Sequence, residues 1–269
     1  PTTRLPRQLE YAKEIVRATV ATGFVGCFKP NLAFWKGDEG KRDLRLLIEF
    51  IHEVAPWIPV ILDAKWGDIG NTNDPYVAEF SDYYGADAVT LHNYMGLEAM
   101  KPFLDNGNKG AIVLCRTSNP GSDEFQLRDV KVTITEAENY GFTKALEAYR
   151  MGNYGRTTVP MYQFVAGRVA HAWNTNGNCA LVVGATYAEV ELKIVREIIG
   201  DMPILLPGIG AQGGDLELTV TNGHNSLKQG MIINSSRGIV FASKERDFAD
   251  RAGEETVNLH KGTTYALAA

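Results

Sequence analysis

Short apolar runs recur along the whole chain, and segments with helical spacing separate them. The runs are rich in β-branched residues and apolar on both faces, which is typical of parallel strands covered by helices. Strands are predicted at residues 24–28, 60–62, 88–92, 111–115, 180–184, 204–208 and 231–235. Helices are predicted at residues 8–22, 44–54, 74–84, 96–104, 136–149, 163–173 and 187–199. This alternation predicts an α/β fold, and a (β/α)8 TIM barrel would need one strand more.

Size and charge narrow the class of protein. The chain has 269 residues, of which 45% are hydrophobic, and single α/β barrels run to about 250 residues, so we expect one domain over residues 1–269. The net charge of −5, with dispersed lysines and arginines, predicts no nucleic-acid partner. The sequence shows neither a membrane-spanning apolar run nor a signal peptide. We therefore expect a cytoplasmic protein that binds a small molecule.

Cysteine and histidine spacing gives no indication of a metal site. Cys27, Cys115 and Cys179 lie far apart in the sequence, and we expect them to be free thiols that fill the core in a reducing compartment. His92 ends a predicted strand, and we expect it to be a hydrogen-bonded structural histidine. No metal ion is predicted.

Charged residues follow directly on the predicted strand 60–62. Asp63, Lys65 and Asp68 come next in the sequence, and Lys29 follows the predicted strand 24–28. Ligands of parallel sheets and barrels bind beyond the carboxyl ends of the strands, so these side chains are candidates for an active site. A single Asp-x-Lys is more often a structural ion pair, and its position alone leaves both interpretations open.

Two glycine-bearing loops near the end of the chain favour a phosphate site. Residues 207–215 form a glycine-dense loop after one predicted strand, and residues 234–238 follow the next strand, where a helix could begin. Loops in these positions of a barrel often bind phosphate through backbone N–H groups, and Arg237 would add a charge-assisted hydrogen bond. Glycine also marks ordinary turns, but the two loops together favour phosphate binding.

A ten-residue segment carries a specific resemblance. Asp63-x-Lys65-x-x-Asp68-Ile69-x-x-Thr72 matches, position for position, the D-x-K-x-x-D-I-x-x-T motif of orotidine 5′-monophosphate decarboxylases. The flanking blocks 28–34, 117–121, 182–186 and 207–215 resemble the longer bacterial, type 2, subfamily. The resemblance extends over residues 4–242.

The resemblance implies an activity, a set of residues and an assembly. The implied reaction is decarboxylation of orotidine 5′-monophosphate to uridine 5′-monophosphate in de novo pyrimidine biosynthesis, without metal or organic cofactor. The implied catalytic residues are Lys65, Asp63, Lys29 and Asp68. The implied substrate-binding residues are Ile69, Thr72, Ser118, Gly210, Gln212, Ser236 and Arg237. The implied assembly is a homodimer, in which Asp68, Ile69 and Thr72 reach the partner's site, while Ser118 contacts the pyrimidine.

The chemistry explains why such a site would need alternating charges. Loss of CO2 from C6 of the pyrimidine leaves a carbanion with little resonance stabilisation, so a fixed cation and a proton donor are required beside C6. Lys65 could provide both, and neighbouring charges would hold its ammonium group in place before the reaction. Binding of the remote phosphate could drive loop closure, and residues 116–126 are the candidate lid.

The sequence departs from the family at its start and leaves alternatives open. The family's first strand, which ends in a ribose-binding aspartate, has no counterpart before Thr3. Either residues precede Pro1 in the complete protein, or the barrel is incomplete, or the tail 263–267 supplies a strand. Two other functions also remain: a magnesium-dependent sugar-phosphate decarboxylase or aldolase with the same barrel, and a non-catalytic nucleotide-phosphate binder.

Overall fold

A computed structural model describes residues 7–154, 157–210 and 213–268. The strands are β1 (Ile61–Trp66), β2 (Ala88–Leu91), β3 (Gly110–Arg116), β4 (Asp129–Lys131), β5 (Thr158–Pro160), β6 (Cys179–Val183), β7 (Ile204–Pro207) and β8 (Met231–Asn234). The helices are α1 (Gln8–Val20), α2 (Gly37–Val54), α3 (Asn73–Ala78), α4 (Leu97–Leu104), α5 (Asp123–Gln126), α6 (Ile134–Asn139), α7 (Thr143–Arg150), α8 (Met161–Arg168), α9 (Glu191–Ile199), α10 (Leu216–Gly223), α11 (Arg237–Val240) and α12 (Phe248–Ala268). The alternation of strands and helices predicted from the sequence is confirmed.

The residues fall into two compact units, one formed by residues up to 111 and from 235 onward, the other by residues 112–234. In the first unit β1 and β2 pair in parallel. The chain passes into the second unit within β3, where the strand order is β3-β6-β7-β8 with β6–β7 and β7–β8 parallel. β4 and β5 form a separate antiparallel pair in the second unit.

The spacing of apolar residues explains the long helices. In α2, Leu44, Leu47, Ile48 and Ile51 are buried, and their i, i+3, i+4, i+7 spacing places them on one face.

The short helix α6 begins with a capping box, in which the hydroxyl of Thr133 accepts from the Glu136 N–H and the Glu136 carboxylate accepts from the Thr133 N–H. Among the described residues, no helix combines the length and apolarity needed to cross a membrane.

The predicted strand 24–28 is wrong as a full strand. Phe28 and Asn31 form isolated parallel bridges to Val60 and Asp63, and the Asp63 N–H donates to the Pro30 carbonyl at 3.0 Å. Pro30 has no N–H to donate in return, which interrupts the ladder where a regular strand would continue. The segment 28–31 is therefore an extended edge beside β1.

The suggestion that the tail 263–267 forms a strand is also wrong. These residues belong to α12, whose buried residues include Phe248, Ala252 and Thr256. The helix packs on the N-terminal part of the chain, where the rings of Phe248 and Tyr11 stack with centroids 4.2 Å apart. Apolar burial at helical spacing along α12 outweighs the β-propensity of its last turns.

The predicted helix 136–149 is two helices, α6 and α7, because the chain turns at Gly141 with a φ of 70°. The predicted helix 163–173 is α8 followed by one π-helical turn, Val169–Trp173.

Cys115 and Cys179 are buried free thiols as expected, whereas Cys27 is half-buried. Burial raises the pKa of the Cys179 thiol to about 11.

Candidate active site

An irregularity in β1 positions the charged residues. The β1–β2 register runs Leu62 to Val89 and then Trp66 to Leu91, so three residues of β1 lie opposite the single residue Thr90. The extra residues form a β-bulge, a feature that redirects side chains at the ends of strands. Lys65 takes a positive φ of 53° within it. Asp63 and Lys65 therefore lie within the last four residues of β1, toward its C-terminal end, as their sequence positions suggested.

Asp63 is the centre of the site. Its side chain is only 7% exposed, and its two oxygens accept hydrogen bonds from four side chains. Lys29 Nζ lies 2.5 Å from Oδ2, and Asn31 Nδ2 lies 3.3 Å from the same oxygen. Lys65 Nζ and Thr90 Oγ1 both donate to Oδ1, the latter at 3.0 Å. One buried carboxylate thus connects two ammonium groups.

The surroundings keep Asp63 ionised. Burial alone would raise the pKa of this carboxyl group, but the charge of Lys29 and the hydrogen bonds from Lys29 and Lys65 outweigh burial and hold the pKa below its ordinary value. The two lysines differ in accessibility, since the Lys29 side chain is 10% exposed and that of Lys65 is 49% exposed. Lys65 therefore presents the ammonium group that an incoming ligand can reach.

Thr90 and Asn31 complete the network, and sequence reasoning missed both. The Thr90 hydroxyl accepts the Lys65 N–H at 3.0 Å and donates to Asp63, so it replaces the ladder contact that the bulge removes. Thr90 is 1% exposed. A polar residue in the middle of the predicted strand 88–92, next in sequence to the motif-bearing strand, was the signal that could have identified it.

Asp68 lies outside this network. Within the described ranges its carboxylate makes no ion pair with Lys29 or Lys65, and it accepts the Ile69 N–H at 2.7 Å. Asn73, which is fully buried, fixes the loop by accepting the Asp68 N–H at 3.0 Å and donating to the Asp68 carbonyl. Ile69 is 59% exposed and Thr72 is exposed. Of the three motif residues after the bulge, Ile69 and Thr72 therefore face outward, while Asp68 is half-buried.

Ser118 lies in the second unit on a loop that begins at the end of β3. The backbone of Gly184, just after β6, approaches it so closely that an added Cβ would lie 2.8 Å from Ser118 Cβ. The Gly184 N–H donates to the Arg116 carbonyl at 2.7 Å. Only glycine fits at residue 184 without a shift of the serine.

The predicted phosphate residues are divided between the two units. Gly210 belongs to the second unit, has a φ of 70° and accepts the Gly213 N–H at 2.9 Å. Ser236 and Arg237 belong to the first unit, where Ser236 occupies the N-cap position of α11 and Arg237 is its first residue. The helix start predicted within residues 234–238 is confirmed, since α11 begins at Arg237. Gln212 lies outside the described residues.

His92 and its neighbour Gly67 meet at close range. The His92 N–H donates to the Trp66 carbonyl at 2.9 Å. A Cβ on Gly67 would lie 2.6 Å from the His92 carbonyl oxygen and 2.8 Å from its Nε2, so glycine is required there. Within the part of the chain that the structure describes, the His92 ring has no hydrogen-bond partner, so its expected structural hydrogen bond stays a prediction.

Comparison with known proteins gives one consistent result. Residues 9–252 match the family model described as "Orotidine 5'-phosphate decarboxylase / HUMPS family". An orotidine 5′-phosphate decarboxylase of Cupriavidus metallidurans is 44% identical over 257 residues, covering 93% of this chain and 84% of the relative. One from Ralstonia pickettii is 46% identical over 242 residues, covering 90% and 79%.

Solved structures agree with the sequence matches. The OMP decarboxylase of Leishmania donovani superposes with a TM-score of 0.74 at 32% identity, covering 94% of this chain and 88% of that one. The orotidine 5′-monophosphate decarboxylase of Methanocaldococcus jannaschii, solved with the inhibitor BMP, gives a TM-score of 0.59. At 20% identity over 92% of this chain and 93% of the other, the latter supports the fold alone.

Proposed function

Because the chain belongs to the orotidine 5′-phosphate decarboxylase / HUMPS family, we propose that it decarboxylates orotidine 5′-monophosphate to uridine 5′-monophosphate in de novo pyrimidine biosynthesis. The observation that carries this proposal is the buried Asp63 carboxylate held between the ammonium groups of Lys29 and Lys65. In this arrangement the carboxylate fixes the ammonium group of Lys65, whose side chain is half exposed. The enzyme class is a carboxy-lyase.

In the proposed reaction, the bond between C6 and the substrate carboxylate breaks, and its electron pair remains on C6 while CO2 leaves. The Lys65 ammonium group stabilises the developing negative charge and then donates its proton to C6. Its position is set before the reaction by Asp63 and by the Lys65 N–H bond to Thr90, so little reorganisation is needed. Lys29 keeps Asp63 charged and in place.

The remaining family residues have proposed roles in binding. We assign Ser118 to the pyrimidine and Gly210, Gln212, Ser236 and Arg237 to the phosphate. The positive φ of Gly210 and the position of Arg237 at the start of α11 support these roles. Ribose-phosphate binding at a distance from C6 would supply energy for the chemical step.

We further propose a homodimer in which the sites are shared. Asp68, Ile69 and Thr72 would serve the partner's site, and the support is their outward-facing loop, fixed from behind by the buried Asn73. With Lys29, Asp63 and Lys65 in one subunit and Asp68 from the other, each site would contain the full alternating array.

The family also supports a (β/α)8 barrel forming a single domain over residues 1–269. The six strands β1, β2, β3, β6, β7 and β8 and the extended edge 28–31 would account for seven of its eight strand positions. A cytoplasmic location fits free cysteines and a biosynthetic reaction on a small nucleotide.

The two alternative functions predict different ligand requirements. A magnesium-dependent sugar-phosphate enzyme would need a carboxylate free to bind the cation, yet both oxygens of Asp63 accept from lysine ammonium groups. Lys29 would also repel a divalent ion there. The relatives named above are orotidine 5′-phosphate decarboxylases, which favours the nucleotide over a sugar phosphate as substrate.

The experiment is a continuous absorbance assay of the purified protein with orotidine 5′-monophosphate. We expect the orotidine absorbance to fall with or without EDTA. A matched control is Lys101→Ala, which removes an exposed lysine paired with an aspartate at 3.1 Å and should turn over like the wild type. Uridine 5′-monophosphate binding with no absorbance change over hours would instead identify a non-catalytic binder, and loss of turnover in EDTA would favour the magnesium enzyme.

A further inference from the structure

The largest fully buried side chain in the described part of the protein belongs to an arginine, Arg116, at the end of β3. It is 1% exposed, and its guanidinium group lies over the Tyr187 ring with Cζ 3.6 Å from the ring centroid. Burying a charge of this kind is expensive, and a buried ion pair is weak support for stability. Its Nε atom is buried and has no hydrogen-bond partner among the described residues. Stability alone therefore does not account for an arginine at this position.

The guanidinium group of Arg116 holds the following loop against the end of β3. Nη1 donates to Ser122 Oγ at 2.7 Å, and Nη2 donates to Asp123 Oδ1 at 2.7 Å and to Glu191 Oε1 at 3.4 Å. The Ser122 hydroxyl is also 3.0 Å from the Tyr187 hydroxyl. The residues six and seven positions after Arg116 are thus folded back onto the strand end from which the loop departs.

The loop is closed at its other end as well. The Gln126 side chain accepts the Thr117 N–H at 2.8 Å and donates to the Thr117 hydroxyl at 2.8 Å. Ser118 lies between these two anchors, with the Gly184 backbone against it. Residues 117–126 therefore form a ring of contacts around one serine, which is the geometry of a fixed platform. A lid that opens as a unit would have to break the ion pair between the buried Arg116 and the exposed Asp123, and both Gln126 hydrogen bonds.

We propose that Arg116 is a positioning residue that holds the loop 117–126 rigid and so sets the place of Ser118 against the pyrimidine of the substrate. This inference rests on the proposed function for the role of Ser118, but the anchoring itself does not. Arg116 would act through the loop, without contacting the base or the phosphate itself. The loop 117–126 then carries a contact to the base, and the lid expected at residues 116–126 stays a prediction.

The first measurement tests the anchoring without any substrate. Arg116→Met keeps about the same side-chain volume and removes the forked hydrogen-bond donor. Loss of one member of an ion pair is costliest where the other stays buried and unpaired, but the carboxylates left here still reach solvent, since Asp123 is 59% and Glu191 22% exposed. We expect the melting temperature to change little, while amide hydrogen exchange across residues 117–126 becomes at least about tenfold faster. Unchanged exchange in that segment would overturn the proposal. If Arg116→Met does not fold, Asp123→Ala removes an exposed acceptor of the same guanidinium group and is expected to raise exchange in the same residues.

The second measurement tests the positioning through two ligands. Uridine 5′-monophosphate carries the base, whereas ribose 5-phosphate has the same sugar and phosphate without it. Arg116→Met should weaken uridine 5′-monophosphate binding about tenfold and change ribose 5-phosphate binding less than about twofold. Equal weakening of both ligands would show a general structural defect and overturn the positioning role.

A double-mutant cycle in kcat/KM completes the test. Ser118→Ala alone should lower kcat/KM. Adding Arg116→Met to it should lower kcat/KM by less than about a further twofold, because both changes remove the same contact, that of Ser118 with the pyrimidine. Independent, multiplicative losses would contradict the proposal. The matched control is Arg196→Met, an arginine of α9 that donates to the Gly223 carbonyl at 2.9 Å; its effect should multiply with that of Ser118→Ala. If the wild type does not decarboxylate the substrate, the proposed function fails, while the exchange measurement still decides the anchoring.

Discussion

Lys65 combines three properties that seldom occur together in a strand. Its φ is 53°, its side chain is half exposed, and its ammonium group contacts a buried carboxylate. Residues other than glycine in this backbone region are strained by about 1–3 kcal/mol and cluster at functional sites. The strain is maintained here by the hydroxyl of Thr90, which accepts the Lys65 N–H. The strained backbone of Lys65 therefore places its ammonium group against Asp63.

Removal of the Lys65 amine should separate binding from chemistry. In Lys65→Ala we expect turnover of orotidine 5′-monophosphate to fall by at least about a thousandfold, because the cation and proton donor beside C6 are lost. Binding of uridine 5′-monophosphate, measured by calorimetry, should persist because the phosphate residues are intact. Turnover similar to the wild type in this variant would contradict the mechanism.

Loss of the Thr90 hydroxyl should reduce both stability and activity. Thr90→Val leaves the Lys65 N–H without a partner and removes one donor to Asp63, and we expect the free energy of unfolding to fall by about 1–3 kcal/mol. The kcat should fall as Lys65 loses its fixed position. Denaturant unfolding and the absorbance assay measure the two effects. The control is Thr19→Val, a buried threonine whose hydroxyl bonds the Ile15 carbonyl of its own helix and which should leave kcat unchanged.

The pKa of Asp63 predicts how stability depends on pH. Burial raises this pKa, but Lys29 and Lys65 outweigh burial, so the folded value lies below the unfolded value of about 3.9. Between the two values the unfolded state binds more protons, so the stabilisation is complete above the unfolded pKa and is lost as pH falls through the folded pKa.

Chemical denaturation between pH 7 and pH 3 measures this dependence. The free energy of unfolding of the wild type should decline toward that of Asp63→Asn as the pH approaches the folded pKa of the carboxyl group. The control is Asp105→Asn, which removes an exposed carboxylate paired with Lys101. A difference between the wild type and Asp63→Asn that stays constant over the whole range would contradict the assignment.

At the scale of elements, close backbone contacts determine where side chains can stand. Gly184→Ala would place a Cβ 2.8 Å from Ser118 Cβ, so the serine or the end of β6 must move. We expect a loss of about 1–3 kcal/mol in the free energy of unfolding and weaker binding of uridine 5′-monophosphate. Thermal melts and calorimetry test both. Gly26→Ala is the control, since nothing lies within 4 Å of its added Cβ.

The same scale shows what the sequence could and could not predict. Strands such as β6 and β7 were predicted to within a residue at each end because they are continuous apolar runs. The predicted strand 24–28 is instead an extended edge over residues 28–31, where Pro30 lacks the N–H that would continue the ladder beside β1. β5 has three residues and no apolar run, so it gives no periodic signal.

Within the site, motif residues were predictable and their partners were not. Lys29, Asp63 and Lys65 were identified from the motif, and the structure brings them together. Asn31 and Arg116 gave no local signal, and Thr90 gave only its polarity within an apolar run, because each acts through a contact that depends on strand register or on loop folding. Single-sequence reasoning locates charged residues at strand ends but not the neutral groups that orient them.

At the scale of the whole molecule, the proposed shared sites can be tested by mixing two inactive variants. Lys65→Ala lacks its own ammonium group, and Asp68→Asn lacks the carboxylate offered to the partner. In a mixed dimer, one site combines both defects and the other contains neither. If subunits exchange freely, about half the dimers are mixed, and the mixture should recover about a quarter of wild-type activity. Mixing that restores nothing, with subunit exchange confirmed by native mass spectrometry, would place each site within one subunit.

The hydrogen bonds around Asp63 also determine at which stage of protein synthesis this part of the site can form. Its donors lie at residues 29, 31, 65 and 90, and a chain emerges from the ribosome with its N-terminal part first. A nascent chain that stops short of Thr90 holds the carboxylate and both lysines without the hydroxyl that supports the bulge. The last donor arrives only when β2 docks beside β1. The ammonium group of Lys65 therefore acquires its final position in the same step that completes the first pair of strands.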